Sequence, residues 1–233
     1  MNWNIIGDIH GRTCWKDLVQ EDSVNVFVGD YFDPYDDIPH EQLLQNFADI
    51  IAFKQQHPET VLLYGNHDMH YLIDGEEASR YDHLHATEYR QAFRGAQELF
   101  HGVAYTVGDH TLVTHAGVSK AWYEKEFGPY RGQSPAEVAD NINDLWRHNK
   151  REFAFEVNAS ERFDFCGESP THSPLWIRPW VLAYHNLFAG TPYKQVFGHT
   201  QIDKVTTING NLTCVDCLGT IEKSHVIIGI DPL

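Results

Sequence analysis

Three times within the first 68 residues a short apolar run ends in glycine and then in hard polar groups. The stretches are Ile5-Ile6-Gly7-Asp8-Ile9-His10-Gly11, Val26-Phe27-Val28-Gly29-Asp30-Tyr31-Phe32-Asp33 and Val61-Leu62-Leu63-Tyr64-Gly65-Asn66-His67-Asp68. An apolar run of this length closed by glycine is a buried strand meeting a tight loop. Three such strands in one parallel sheet place their C-terminal loops side by side, at the edge where open α/β sheets bind ligands. Carboxylates, an amide and imidazoles then converge on one crevice.

These residue types suit a hard or borderline cation. Oxygen and imidazole nitrogen favour Mn, Zn or Fe, and the blocks contain no thiolate. Asp8 and His10 stand two apart, so one extended turn aims both at the same ion. Asp30 comes from the next strand and is placed to bridge two ions, and Asn66 adds a neutral carbonyl oxygen. The set is that of a two-metal hydrolytic centre, with metals about 3.5–4 Å apart.

Two later blocks extend the pattern: His115-Ala116-Gly117 after Leu112-Val113-Thr114, and Gly198-His199-Thr200 after Gln195-Val196-Phe197. Together the five blocks resemble the calcineurin-like metallophosphoesterase superfamily, whose pattern runs GD-x-H-G, GD-x-x-D, GNH-D/E and then two histidine blocks. The resemblance implies a four-layer α/β/β/α sandwich of two mixed sheets, with a dimetal site at the C-terminal ends of the strands. It implies Asp8, His10 and Asp30 on the first metal and Asp30, Asn66, His115 and His199 on the second. The cofactors expected are two divalent ions, manganese first, with iron or zinc fitting the same donors. The expected reaction is hydrolysis of a phosphoester by a hydroxide bridging the metals. His67 is then the general acid for the leaving alkoxide, and Asp33 hydrogen-bonds its ring and favours the charged form.

Two departures place the chain within the superfamily. Members similar to the Ser/Thr phosphatases read GD-x-x-D-R-G, whereas Pro34-Tyr35 follows Asp33 here, so the phosphate-gripping arginine of that motif is missing. Arg178, 20 residues before Gly198, resembles the arginine of a Trp-x-Arg segment in phage-type protein phosphatases and is the first candidate; Arg12 is the second. Gln201 stands where many members carry the last histidine of GH-x-H, which points to the protein-phosphatase and diadenosine-tetraphosphatase branch. The leading expectation is a Ser/Thr phosphatase-like phosphomonoesterase, and the runner-up a hydrolase of diadenosine tetraphosphate or another nucleotide. A binding protein that kept the fold without catalysis is the alternative of another class. The intact ligand set opposes it, because buried carboxylates without metal are costly.

At 233 residues the chain suits a single α/β domain over 1–233. A formal charge of −16, from 17 Lys plus Arg against 33 Asp plus Glu, argues against a nucleic-acid-binding stripe or an anionic membrane surface. The expected partner is a phosphorylated protein, nucleotide or small ester. The first residues already read as a strand, with no secretory signal, and no apolar run approaches a membrane span, so a cytoplasmic protein with reduced thiols is expected. Cys214 and Cys217 have C-x-x-C spacing but no second pair, and read as core.

Helical spacing of Leu43, Leu44, Phe47, Ile50, Ile51 and Phe53 predicts a helix over His40 to Gln56. Another is expected from Glu88 to Phe100, and Ser134-Pro135-Ala136-Glu137 opens a third that runs to about Phe153. A short helix is expected over Thr13 to Gln20, an extended segment over Trp176 to Arg178, a loop over Ala159 to Pro174, and exposed His83 and His85. Residues 119–170 form a candidate lid that faces substrate.

Overall fold

The computed structural model describes residues 1–158, 164, 166–220 and 225–229. In chain order the elements are β1 (Asn2–Ile6), β2 (Ser23–Phe27), α1 (His40–Gln56), β3 (Val61–Leu62), α2 (Asn66–Leu72), α3 (Ala86–Ala96), β4 (Ala104–Val107) and β5 (Thr111–Thr114). They continue with α4 (Lys120–Phe127), α5 (Pro135–His148), α6 (Phe155–Asn158), α7 (Pro179–His185), β6 (Lys194–Phe197), β7 (Thr206–Ile208), β8 (Leu212–Cys214) and β9 (Val226–Gly229).

Two mixed sheets result. The first has the order β3-β2-β1-β9, with β1, β2 and β3 parallel and β9 antiparallel to β1. The second has the order β4-β5-β6-β8-β7; β5, β6 and β8 are parallel, while β4 and β7 run against their neighbours. Alternation along the strands sets the layers. Trp3, Ile5, Val24 and Val26 of the first sheet meet Val107, Val113 and Val196 of the second in one valine-rich layer. The opposite face of the first sheet presents Ile6, Phe27 and Leu62 to Leu43, Phe47 and Ile50 of α1 and to Tyr89 and Phe93 of α3. Leu112 faces Val138 and Ile142 of α5, and Phe197 and Leu212 face Leu182 of α7. The sandwich is therefore helix, sheet, sheet, helix. Asn4 and Asn25 are buried polar residues on neighbouring strands; the Asn4 amide donates to Asn25 Oδ1 and to the Leu18 carbonyl, both at 2.8 Å.

Several local expectations need correction. Over Thr13 to Gln20 only one 3-10 turn forms, Cys14–Asp17. The third helix stops at His148, and a separate 3-10 turn covers Lys150–Phe153. The Glu88 helix begins at Ala86, ends at Ala96 and continues as 3-10 through Leu99. Trp176 lies in a turn, not a strand, its N–H donating to Ser173 O at 3.0 Å. His85 is half-buried, stacked on His40 with ring centroids 3.9 Å apart, because Asp82 draws its Nδ1 inward. The loop expected over Ala159 to Pro174 falls in part on residues 159–163 and 165, outside those described. No described helix is long and apolar enough to cross a membrane.

Candidate metal centre and active site

The strand ends of both sheets converge as the blocks require. The β1 loop carries Asp8 and His10, and the β2 loop carries Asp30 and Asp33. Asn66 and His67 open α2 directly after β3, His115 follows β5, and His199 follows β6. All eight are buried or nearly so. His10, Asp30, Asp33 and His199 sit at φ 44, 57, 56 and 66, four of the six non-glycine residues with positive φ among those described. Such backbone is strained for ordinary residues and persists where the surroundings enforce it, commonly at functional sites. Gly65 and Gly198 make the close approach possible, since a Cβ on either would collide with the carboxylate of Asp30 or Asp8.

Ligand atoms of Asp8, His10 and Asp30 all lie within 4.8 Å of one another. Asp30 Oδ2 stands between two imidazoles, 3.5 Å from His10 Nε2 and 3.4 Å from His115 Nε2. Asn66 Oδ1 stands 2.7 Å from His115 Nε2 and 2.8 Å from His199 Nδ1. The far nitrogen of each ring is anchored to backbone. His10 Nδ1 lies 2.9 Å from Asp33 O, His115 Nδ1 2.9 Å from Val28 O, and His199 Nε2 3.0 Å from Trp176 O. A carbonyl can only accept, so those nitrogens carry the protons. The inward nitrogens of the neutral rings are then lone pairs, and they face the Asn66 amide oxygen and an Asp30 oxygen that, once ionised, also only accepts.

Electrostatics point the same way. Burial holds the pKa of His10 and His199 well below the ordinary value and lowers that of His115 to about 3, so none gains a proton to fill the gap. Burial raises Asp8 and Asp30 well above the carboxylate range, helped at Asp8 by Asp216 and at Asp30 by Asp68. With those carboxylates ionised, acceptors face acceptors and each imidazole is fixed through its other nitrogen, the arrangement expected of a divalent-cation site. The donor set fits two cations sharing Asp30.

Beside this cluster His67 Nδ1 donates to Asp33 Oδ2 at 2.9 Å, which leaves Nε2 available to the crevice. Arg178 lines the same crevice; Nε donates to Cys166 O at 2.5 Å and Nη1 to Thr200 Oγ1 at 3.1 Å. Arg12 is a lining residue too, its side chain 10 % exposed and its Nε 3.3 Å from Asp36 Oδ2.

Several contributors escaped sequence reasoning. Asp68 accepts from the backbone N–H of Gly65, Asp30 and Tyr31 at 2.7, 2.8 and 2.9 Å, clamping the second loop to the third; burial raises its pKa to about 7. Asp216, within the C-x-x-C segment, is buried against Asp8 and hydrogen-bonded to it, with its pKa raised to about 6 by burial. Its cysteines are core: Cys214 and Cys217 are both buried. Tyr35 stands edge-on to His10, ring centroids 4.9 Å apart, at the lip of the crevice. A carboxylate immediately after a strand was the available signal for Asp216. His70 and Tyr71 follow His67 by three and four residues, so they share its helix face.

Comparisons with known proteins give the family. The family model for calcineurin-like phosphoesterases matches residues 1–213. A protein serine/threonine phosphatase from Saccharomyces cerevisiae shares the fold at 15% identity, over 93% of this chain and 67% of that one, with a TM-score of 0.51. A metallophosphoesterase from Sphaerobacter thermophilus aligns over 98% of this chain and 84% of its own at 12% identity and a TM-score of 0.47. No curated protein matches the sequence significantly. The matched span contains all five blocks and every residue of the cluster except Asp216, and the chain belongs to the calcineurin-like phosphoesterase family, as a hydrolytic metallophosphoesterase.

Proposed function

We propose that the protein is a phosphomonoesterase of the Ser/Thr phosphatase type. Asp8, His10 and Asp30 would hold one divalent ion, and Asp30, Asn66, His115 and His199 the other. Manganese is the ion we assign, with iron and zinc compatible with the same oxygen and imidazole donors. When bound, the two ions supply Lewis-acid polarisation of the phosphate and a lowered pKa for the attacking water.

The observation that carries the reading is the His67–Asp33 pair beside the ligand cluster. Asp33 holds Nδ1, so the ring presents Nε2 to the leaving oxygen, and His67 delivers the proton that turns an alkoxide into an alcohol. Arg178 supports the phosphate: two of its nitrogens are tied to the walls, while Nη2 makes no hydrogen bond among the described residues. Arg12 adds positive charge on the other side. The crevice measures about 360 Å³, at the low end for small-ligand sites, which favours one phosphate and a short side chain over a dinucleotide. Within the single domain, the covering role assigned to residues 119–170 falls on Phe155 and Cys166, which line the crevice. A phosphorylated serine or threonine in a protein is the substrate we assign, and the cytoplasm its compartment.

The test is phosphate release by chelator-stripped protein, with and without added manganese, from phosphoserine peptides and from diadenosine tetraphosphate. Manganese-dependent preference for the peptides is expected. Preference for the dinucleotide would replace the phosphomonoesterase reading with the nucleotide one.

A further inference from the structure

Asp33 does more than hold His67. Its Oδ2 accepts a second imidazole, His70 Nε2, at 2.6 Å, and its Oδ1 accepts the Tyr71 hydroxyl. His67, His70 and Tyr71 stand at i, i+3 and i+4 on α2, so one helix face delivers three donors to one carboxylate. The carboxylate itself hangs from a left-handed backbone position, φ 56, in an irregular loop. Without His70 and Tyr71 its orientation would depend on the His67 bond alone. Both oxygens are instead pinned, and the Asp33 side chain is 0% exposed.

The arrangement carries a cost that packing does not require. A carboxylate only accepts, so Nε2 of His70 bears the proton and Nδ1 is an acceptor. That Nδ1 is buried with no hydrogen-bond partner among the described residues. A buried polar atom left unsatisfied calls for an explanation, and an apolar side chain of similar size would avoid it. The donor on the other edge of the ring supplies one. His70 also packs edge-on against Tyr71 and Tyr81, with ring centroids 4.4 and 5.1 Å apart, which fixes the ring plane. The ligand atoms of Asp33, His67 and His70 are close enough together to be read as a metal site. The separations of 2.6 and 2.9 Å are those of hydrogen bonds to a charged acceptor.

We propose that His70, together with Tyr71, is a positioning residue for the general acid, locking Asp33 so that His67 Nε2 is held on the leaving oxygen. The proposal rests on the reading of His67 as that acid, and the experiment separates the two. Loss of a positioned acid hurts poor leaving groups most, because an alkoxide needs the proton and a nitrophenolate barely does. Manganese-loaded wild type, H67N, H70A, H70Q and Y71F are compared on a phosphoserine peptide and on p-nitrophenyl phosphate, with metal content measured for each. H67N is expected to lower the ratio of peptide to nitrophenyl turnover by about a hundredfold, the low end for a general acid. H70A is expected to lower the same ratio by about tenfold, through kcat and not KM. H70Q, which keeps a donor near Nε2, should recover most of the loss, and Y71F should show a smaller shift of the same sign. An unchanged ratio in H70A and Y71F, with the ratio lowered in H67N, would overturn the role of His70 alone. A ratio unchanged in H67N as well would overturn both assignments. Reduced metal content in H70A would make His70 a ligand and overturn its positioning role. If H70A does not fold, Y71F and H70Q decide the matter.

Discussion

Replacing Asp30 by asparagine should leave the metal-free protein at least as stable as wild type and make the metal-loaded protein less stable than wild type. Asp30 Oδ1 accepts the His67 backbone N–H at 2.9 Å, and Oδ2 faces the inward nitrogens of His10 and His115. Asparagine keeps the first bond through its oxygen and turns an amide donor toward the two lone pairs. It also removes a buried charge. Burial holds the Asp30 pKa above the unfolded value, so the native state keeps its proton over a window that opens at about 3.8. Across that window the native state binds more protons than the unfolded one, and stability falls as pH rises. At pH 8 the chelated D30N protein should therefore melt no lower than wild type. Metal reverses the comparison. Two sites at about a hundred times Kd each stabilise by about 2.7 kcal/mol, roughly 5 kcal/mol in all. For a chain of this size that raises Tm by about 10–20 °C. In the proposed ligand set Asp30 is shared by the two sites, so D30N should lose nearly all of this gain. Calorimetry at pH 8 in chelator and in saturating manganese reads both effects. A metal-induced shift in D30N equal to that of wild type would refute the shared-ligand argument. A chelated D30N melting more than about 5 °C below wild type would refute the charge argument.

The remaining predictions concern neighbouring parts of the site. In its proposed role Arg178 gives the phosphate a charge-assisted contact of about 1.5–3 kcal/mol, so Arg178→Ala should raise KM for phosphoester about tenfold or more in steady-state kinetics. Gly198→Ala drives a methyl into the Asp8 carboxylate, and manganese titration calorimetry should show weakened binding at the site Asp8 serves. His115→Ala removes a nitrogen that faces both Asp30 and Asn66, and elemental analysis should find less bound metal than in wild type. Asp68 and Asp216 have raised folded pKa values, about 7 and about 6, so chelated wild type should lose stability as pH rises from about 4 toward 7 in denaturant titrations. A flat profile over that range would contradict the burial argument.

The parallel strands were legible because burial on both faces leaves an uninterrupted apolar run, and each run ended within a residue or two of the observed strand. The helix over His40–Gln56 and the capping box at Ser134 were legible for local reasons: periodicity in one, and in the other a Ser134 N–H that donates to Glu137 Oε2 at 2.8 Å. Helix α2 was not. Asn66, His67 and Asp68 are poor helix formers, and tertiary bonds that Asp68 accepts from the Asp30 and Tyr31 N–H groups, with the His67–Asp33 bond, hold that turn in place. Helix α4 was missed for the opposite reason. Its Ser119 cap accepts from the Trp122 N–H at 3.0 Å, but aromatic and charged residues blur its periodicity. The six expected metal ligands do converge, since each ends a readable strand. Asp216 was hidden because its partner, Asp8, lies more than two hundred positions earlier, and only the fold brings the two together.

In the proposed function one acidic, histidine-rich cluster binds two divalent ions and uses them on a phosphomonoester. The most direct test is a manganese titration of stripped protein that follows bound metal and phosphopeptide hydrolysis in the same samples. Activity should appear only as the second equivalent binds. Full activity without metal, or a maximum after a single equivalent, would contradict it.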